Sequence, residues 1–294
     1  MRVYLMVEGQ EGVSWNDWVA LARVCEESGL EGLFRSDHYL SVMADGERES
    51  LDAWATLSAL AALTDRIRLG TLVSPVTFRR AGEIAKVVAT VDHISAGRVE
   101  LGLGAGWNER EHQAFGFDFP ALFVRMGLLE QQLAHVTRQW EELPPAPVQR
   151  PHPPLIIGGS AGPRSSALAA RYADEYNTIF ATVDECRERR ARIDAACRSA
   201  GRPPIAFSLM TGCVVGATRE QVEERADRVA GRTGRDPAEL IGSERALGGT
   251  VEEVVERLRE YERVGVERVF LQHLDHADLD MVRLIGAEVA PSVG

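Results

Sequence analysis

Residues Arg68 to Gly116, RLGTLVSPVTFRRAGEIAKVVATVDHISAGRVELGLGAGWNEREHQAFG, decide the fold. The stretch opens inside an apolar run, Ile67 to Val73, that reads as a strand and ends at Ser74-Pro75. Ile84, Val87, Val88, Val91 and Ile94 then recur at helical spacing, and Ser95-Ala96-Gly97 stops the helix. A second strand, Val99 to Leu103, feeds Gly104-Ala105-Gly106-Trp107-Asn108. Strand, helix, strand in so short a span is a βαβ unit, with parallel strands and a right-handed crossover. Gly102, Gly104 and Gly106 alternate, stripping one strand face and its exit of side chains. A flat or phosphate-bearing ligand can approach such a backbone closely.

The same rhythm extends in both directions. Val3 to Val7, Leu33 to Ser36, Leu155 to Ile157, Glu175 to Ile179, Ile205 to Val215 and Val266 to Leu271 read as further strands, each followed by helical periodicity. Asn16 is the expected cap of the first helix, which stops at Ser28-Gly29. A loop, Ala44 to Glu49, leads to a helix over Leu51 to Leu63, and Phe119-Pro120 opens a long amphipathic helix to about Trp140. Six prolines between Leu143 and Pro154 make that segment an extended connector. Eight strands, each followed by a helix, predict an α/β protein: a (β/α)8 TIM barrel, with residues 1–294 as a single domain. A doubly wound sheet fits less well. Gly102 to Gly106 is not GxGxxG, and Ala121 to Met126 lacks the acidic residue such a dinucleotide site expects.

A net charge of −11 argues against nucleic acid or anionic membrane as the partner, and no apolar run approaches a membrane span. Met1-Arg2-Val3 enters a strand without a signal peptide, so a cytoplasmic protein acting on a small molecule is expected. Cys186 and Cys197 share a predicted helix about 16 Å apart at 1.5 Å per residue, too far to bridge. With Cys25 and Cys213 they read as packing residues in a reducing compartment.

Barrel active sites lie at the C-terminal ends of the strands. That rule selects Glu8, Gln10, Asp37, His38, Val73, Ser74, Gly104, Ala105, Gly106, Trp107, Asn108, Gly158, Gly159, Ser160, Asn177, Thr211, Gly212, Gln272 and His273. Glu8, Gln10, Gln272 and His273 are the candidates for substrate contacts. Alternation puts His38 on the same face as Ser36, leaning over the mouth, where an imidazole can give or take a proton near neutrality. Gly158-Gly159-Ser160-Ala161-Gly162-Pro163 reads as an anion site at a helix N-terminus, with Arg164 adding charge. Arg35, Arg68 and Glu100 fall in strands, so Glu100 should pair with Arg35 or Arg68. Asp92-His93 reads as an outward surface or dimer-contact pair. His273-x-x-His276 and His112 come without HExxH or a carboxylate cluster, so no metal is expected.

LGTLVSPVTFR (69–79), DHISAGRVELGLGAGWNEREHQAFG (92–116), SDHY (36–39), PLIIGGSAGPRSSALAARYADEYN (154–177) and FLQHLDH (270–276) together resemble the luciferase-like flavin and deazaflavin oxidoreductase superfamily, in its branch using coenzyme F420. The resemblance implies an F420-dependent oxidoreductase, with Asp37-His38 as the catalytic pair at the deazaflavin ring. It also implies a cis Leu72–Val73 peptide at the Leu72-Val73-Ser74 corner, bulging against the ring. The cofactor's phosphate would lie on Gly104 to Asn108 and Gly158 to Ser160. Relatives that oxidise sugar phosphates carry a tryptophan shortly after the histidine and a glutamate after the glycine pair. Here those places hold Leu40-Ser41-Val42 and Trp107, so sugar-phosphate dehydrogenation is not expected. Members often carry a strand pair where this chain has only its short segment between Trp140 and Leu155. An FMN-dependent monooxygenase of the same superfamily is the alternative, and a barrel that has lost catalysis a third reading. Relatives commonly dimerise through helices two and three, which here offer Thr56 to Leu63 and Ala81 to Val91, so a homodimer is implied.

Overall fold

The computed structural model describes residues 1–43 and 48–294; most of the expected loop Ala44 to Glu49 lies outside the described residues. Among the described residues ten strands run β1 (Arg2–Val7), β2 (Gly32–Arg35), β3 (Arg68–Thr71), β4 (Ser74–Pro75), β5 (Val99–Gly104), β6 (Leu155–Gly158), β7 (Glu175–Ile179), β8 (Ala206–Gly216), β9 (Ala246–Thr250) and β10 (Arg268–His273). Between them lie α1 (Trp15–Ser28), α2 (Ala53–Leu63), α3 (Ala81–Ile94), α4 (Glu109–Phe115), α5 (Leu122–Glu142), α6 (Pro163–Tyr172), α7 (Val183–Ser199), α8 (Arg219–Thr233), α9 (Pro237–Gly242) and α10 (Val251–Arg263). The chain ends in α11 (Leu279–Leu284), a π turn over Ile285–Val289 and α12 (Ala290–Val293). The strands pair in parallel, and β10 joins both β1 and β8, closing a (β/α)8 barrel. Among the described residues no helix is long and apolar enough to cross a membrane.

Two departures from the sequence reading matter for the site. The run Ile67 to Val73 is not one strand: the Leu72–Val73 peptide is cis, and the chain pairs with β5 again only as β4. A strand not expected, β9, flanks the outer half of β8 from Gly212 to Gly216. Its sequence, ALGGT, holds two glycines in five residues, a composition that argues against a strand. The first helix is capped by Ser14, not Asn16; the Ser14 hydroxyl accepts from Asp17 N and Asp17 answers with a capping box. Gly29, at φ 84°, ends it as expected.

Strand alternation sorts the interior into layers. On the floor, Arg268 donates to Glu100 Oε2 at 2.7 Å and Glu175 Oε2 at 2.8 Å, and Arg68 also binds Glu100. Above it Tyr4, Phe34 and Phe270 pack with ring centroids 4.9–5.7 Å apart, the Arg268 guanidinium lying 3.8 Å from the Tyr4 centroid. Met6, Leu72, Ile156 and Met210 complete the plug beneath the mouth. Arg35 is not Glu100's partner. It sits on the opposite pleat, its guanidinium 4.8 Å from the Trp18 centroid, donating to the Ser36 and Leu51 carbonyls. Burial pushes its pKa down to about 10.

Asp92 is the other correction. It is fully buried, and its carboxylate accepts from Val148 N at 2.6 Å, Gln149 N at 2.9 Å and Gln149 Nε2 at 2.7 Å. With Lys86 and His93 bound to the Pro144 and Ala146 carbonyls, α3 pins the proline-rich connector along its length.

Candidate active site

Above the apolar plug the strand ends surround a cavity of about 540 Å³. Glu8, His38, Leu72, Val73, Gly104, Ala105, Gly106, Trp107, Gly158, Gly159 and Gln272 all line it. Glu8 and Gln272, 264 positions apart in sequence, therefore meet in one hollow, as the barrel rule requires. Asn177 and Gly158, neighbours in the β6–β7 register, line it as well. Trp107 is 64% exposed, which makes it a wall at the entrance and not a core residue.

The glycines serve the backbone first. A Cβ on Gly102 or Gly104 would stand 2.8 or 2.7 Å from the Val73 methyls, and one on Gly158 would stand 3.5 Å away. The stripped face of β5 is thus filled by the Val73 bulge, and Val73, with Gly104 and Gly158 beside it, forms one side of the cavity. This corrects the expectation that Gly102 itself leaves room for a ligand.

Opposite stands a polar corner. Gln272 Nε2 donates to Glu8 Oε1 at 2.6 Å and Gln10 Nε2 to Glu8 Oε2 at 2.9 Å, while Ser36 Oγ donates to Gln10 Oε1 at 2.5 Å. Gln10 lies behind Glu8 and does not line the cavity. Among the described residues Gln272 Oε1 is buried without a hydrogen-bond partner, on the side of Gly212. His273, next along β10, takes the other pleat. Its ring is buried with neither nitrogen bonded among the described residues, burial pushes its pKa down to about 4, and it does not reach the cavity.

The Asp37-His38 pair divides. Asp37 turns from the cavity and accepts from Ser74 Oγ at 2.5 Å and from Arg79 at 2.5 and 3.3 Å. It anchors the β2 exit to the β4 corner, and Ser74, which also receives Trp54 Nε1 at 3.1 Å, is buried with it. His38 faces the cavity. Its Nδ1 lies 2.8 Å from Glu111 Oε1, and Glu111 Oε2 accepts from Tyr39 N at 3.0 Å. Burial disfavours the imidazolium, but the Glu111 hydrogen bond and charge, with Glu8 and Asp37 behind, outweigh it and raise the His38 pKa above 6.5. The Trp107 ring packs edge-on against the imidazole at 5.5 Å.

In the glycine turn after β6, Tyr176 Oη accepts from Ala161 N at 2.8 Å, Ala161 holds φ 54°, and Gly162 caps α6 without a side chain. The first-turn N–H groups of α6 are left without a side-chain acceptor among the described residues. Ser160 is exposed beside the cavity and not in its lining; Asn108 is likewise outside the lining, as N-cap of α4. Arg164 does not serve the turn. It donates to the Phe123 carbonyl at 2.9 Å and stacks on the Phe123 ring. His112, with Nε2 2.6 Å from Thr77 Oγ1 and Nδ1 2.6 Å from the Asn108 carbonyl, has both ring nitrogens engaged.

A family model described as luciferase-like monooxygenase matches residues 3–268. The chain belongs to that family. This luciferase-like protein is 26% identical, over 94% of its length and 93% of the relative's, to the F420-dependent glucose-6-phosphate dehydrogenase of Microbacterium testaceum. It superposes with a TM-score of 0.84 and 20% identity on a monooxygenase from Streptomyces bottropensis, covering 100% of both chains. A TM-score of 0.83, at 19% identity and covering 100% and 99% of the two chains, relates it to an F420-dependent secondary alcohol dehydrogenase in complex with an F420-acetone adduct. At these identities the two structural likenesses establish the fold. In the luciferase-like chain Glu111 is the site residue the sequence reading passed over, because α4 spans only seven residues and leaves no clear periodicity. The usable signal was a carboxylate one helical turn past the β5 exit, on the segment that already supplies the cavity wall.

Proposed function

We propose that the chain is an F420-dependent oxidoreductase, in which the deazaflavin carries a hydride at C5 to or from a small organic substrate bearing C=C, C=N, C=O or the corresponding alcohol. The observation that carries the reading is a single hollow walled by the Val73 bulge on one side and by His38 backed by Glu111 on another. Two features fit a flat heterocycle there. Val73 offers an apolar ridge seated on Gly104 and against Gly158. Glu8 and Gln272, bonded to each other at 2.6 Å, set a polar edge opposite that ridge for the polar rim of such a ring.

In this reading the Gly104 to Asn108 turn and the N-terminus of α6 with Gly158 to Ser160 hold the phosphate, and Trp107 shields the entrance from water. His38 gives or takes the proton that accompanies hydride transfer, Glu8 and Gln272 orient the reacting pair, and Asp37 keeps the β2 exit in place. The Microbacterium relative and the alcohol dehydrogenase favour F420. The monooxygenase likeness and the family description keep an FMN-dependent oxygenase as the second reading.

Titrating the purified protein separately with F420 and FMN decides between them. Saturable F420 binding with weak or no FMN binding, followed by deazaflavin absorbance change in a screen of carbonyls, imines, enoates and alcohols, is expected. Tight FMN binding with oxygen consumption driven by reduced FMN overturns the proposal in favour of the oxygenase.

A further inference from the structure

Glu111 is a buried carboxylate without a permanent cation. It is 1% exposed, yet among the described residues its one ionisable partner is His38. Its other oxygen is taken by the Tyr39 backbone N–H, whose hydrogen cannot move. A buried carboxylate so placed needs a hydrogen-bond donor and a compensating charge, and the imidazole is the group that can offer both. The facing nitrogen is Nδ1, so the arrangement selects the Nδ1–H form and leaves Nε2 as the atom free to work in the cavity. Glu8, just past β1, and Asp37 from the β2 exit add negative charge around the ring; Asp37 is neutralised by Arg79, and Arg235 is the cation that lines the same cavity. No lysine or arginine pairs with Glu111 among the described residues, so nothing there competes with His38 for it.

We propose that Glu111 is the positioning residue of His38: it fixes the Nδ1–H tautomer and aims Nε2 into the cavity. This rests on the reading of His38 as the acid–base group at that cavity. Glu111 belongs to α4, which follows directly from the Gly104 to Asn108 wall. A ligand seated against that wall is therefore registered to the imidazole through one short segment.

The substitution Glu111→Gln makes the inference sharp. The Tyr39 N–H still requires an oxygen, so the glutamine must turn its amide N–H₂ toward His38 Nδ1. A donor there cannot face Nδ1–H, and the neutral imidazole is forced into the Nε2–H tautomer. Nitrogen-15 and proton NMR of ring-labelled histidine, assigned with a His38→Gln control, reads both tautomer and pKa on the protein without cofactor. Expected are Nδ1–H in the parent and Nε2–H in E111Q, with proton affinity at least about tenfold lower in E111Q. With F420 and a turned-over substrate, the pH–rate limb belonging to His38 should move the same way.

A parent His38 in the Nε2–H form overturns the proposal without any variant, as does an unchanged tautomer and pKa in a folded E111Q. If E111Q does not fold, the parent spectrum alone decides. The two readings fail separately. A His38→Ala enzyme with full turnover removes the catalytic role of His38 while the NMR coupling to Glu111 stands. Loss of turnover in His38→Ala with no NMR coupling does the reverse.

Discussion

At the scale of single residues, the site depends on where two side chains are allowed to be. His38 is held over the cavity by Glu111, and its pKa is raised because that bond and nearby carboxylates outweigh burial. A raised folded-state pKa contributes stability that is complete below the ordinary 6.5 and disappears as pH rises through the folded value. If the proposed function holds, His38→Ala is expected to lower turnover roughly 10²- to 10⁴-fold, the usual yield of a positioned proton carrier, while F420 affinity stays within about tenfold because the cavity wall and the proposed phosphate turn are untouched. Steady-state rates beside a binding titration check this; equal losses in both would point to a ring contact and not a proton. Val73 makes the second case. Gly104→Ala sets a Cβ 2.7 Å from a Val73 methyl, an overpacking that typically costs about 1–3 kcal/mol. Denaturant melts should show that cost together with weakened cofactor binding, since the displaced residue is the ridge itself. Full-strength binding in the variant would mean Val73 is not what a ligand rests on.

At the scale of elements, what could be read beforehand followed the length of each piece. Strands at β1, β5 and β10 and the long helices announced themselves because apolar spacing sustained over five or more residues fits few backbone conformations. Short pieces did not: α4 has two turns, β9 carries paired glycines, and β4 is a separate two-residue pairing beyond the cis Leu72–Val73 peptide. Alternation also told which pleat His38 occupied but not who would meet it, since Glu111 arrives from 73 residues away. The same limit hid Asp92, whose polar character suggested a surface while its partners lay 56 and 57 positions on. His273 was misjudged for a related reason: a strand end offers two neighbours to the mouth, and only one faces in. Asp92→Ala orphans the Val148 and Gln149 backbone donors at a cost of roughly 1–3 kcal/mol each. Chemical denaturation should therefore show a loss of about 2 kcal/mol or more, and limited proteolysis should begin cutting within 143–154. Unchanged cleavage would mean the connector is held by its prolines alone.

At the scale of the whole molecule, the barrel interior carries a histidine–glutamate pair at the mouth and an ion cluster on the floor, with an aromatic and aliphatic plug between. The floor cluster closes the cylinder: Glu100 comes from β5, Glu175 from β7 and Arg268 from β10, and all three are buried. Removing Arg268 would leave Glu175 without its cation and Glu100 with Arg68 alone, and breaking a buried pair in this way costs about 3–5 kcal/mol. Glu100 gives the pH signature. Burial opposes its ionised form, yet Arg268 and Arg68 together hold its pKa below the ordinary 4.5. A depressed folded-state pKa contributes stability that is complete above the unfolded value and lost as pH falls through the folded one. Glu100→Gln keeps shape and hydrogen-bonding atoms but removes that charge, so the parent's advantage should be largest near pH 7. It should shrink below about pH 4.5, as the unfolded glutamate begins to take up its proton. Urea unfolding of both proteins from pH 7 to pH 3.5 measures the difference directly. An advantage that stays constant across the range would assign the floor's contribution to packing around Tyr4, Phe34 and Phe270, where the Arg268 guanidinium also lies.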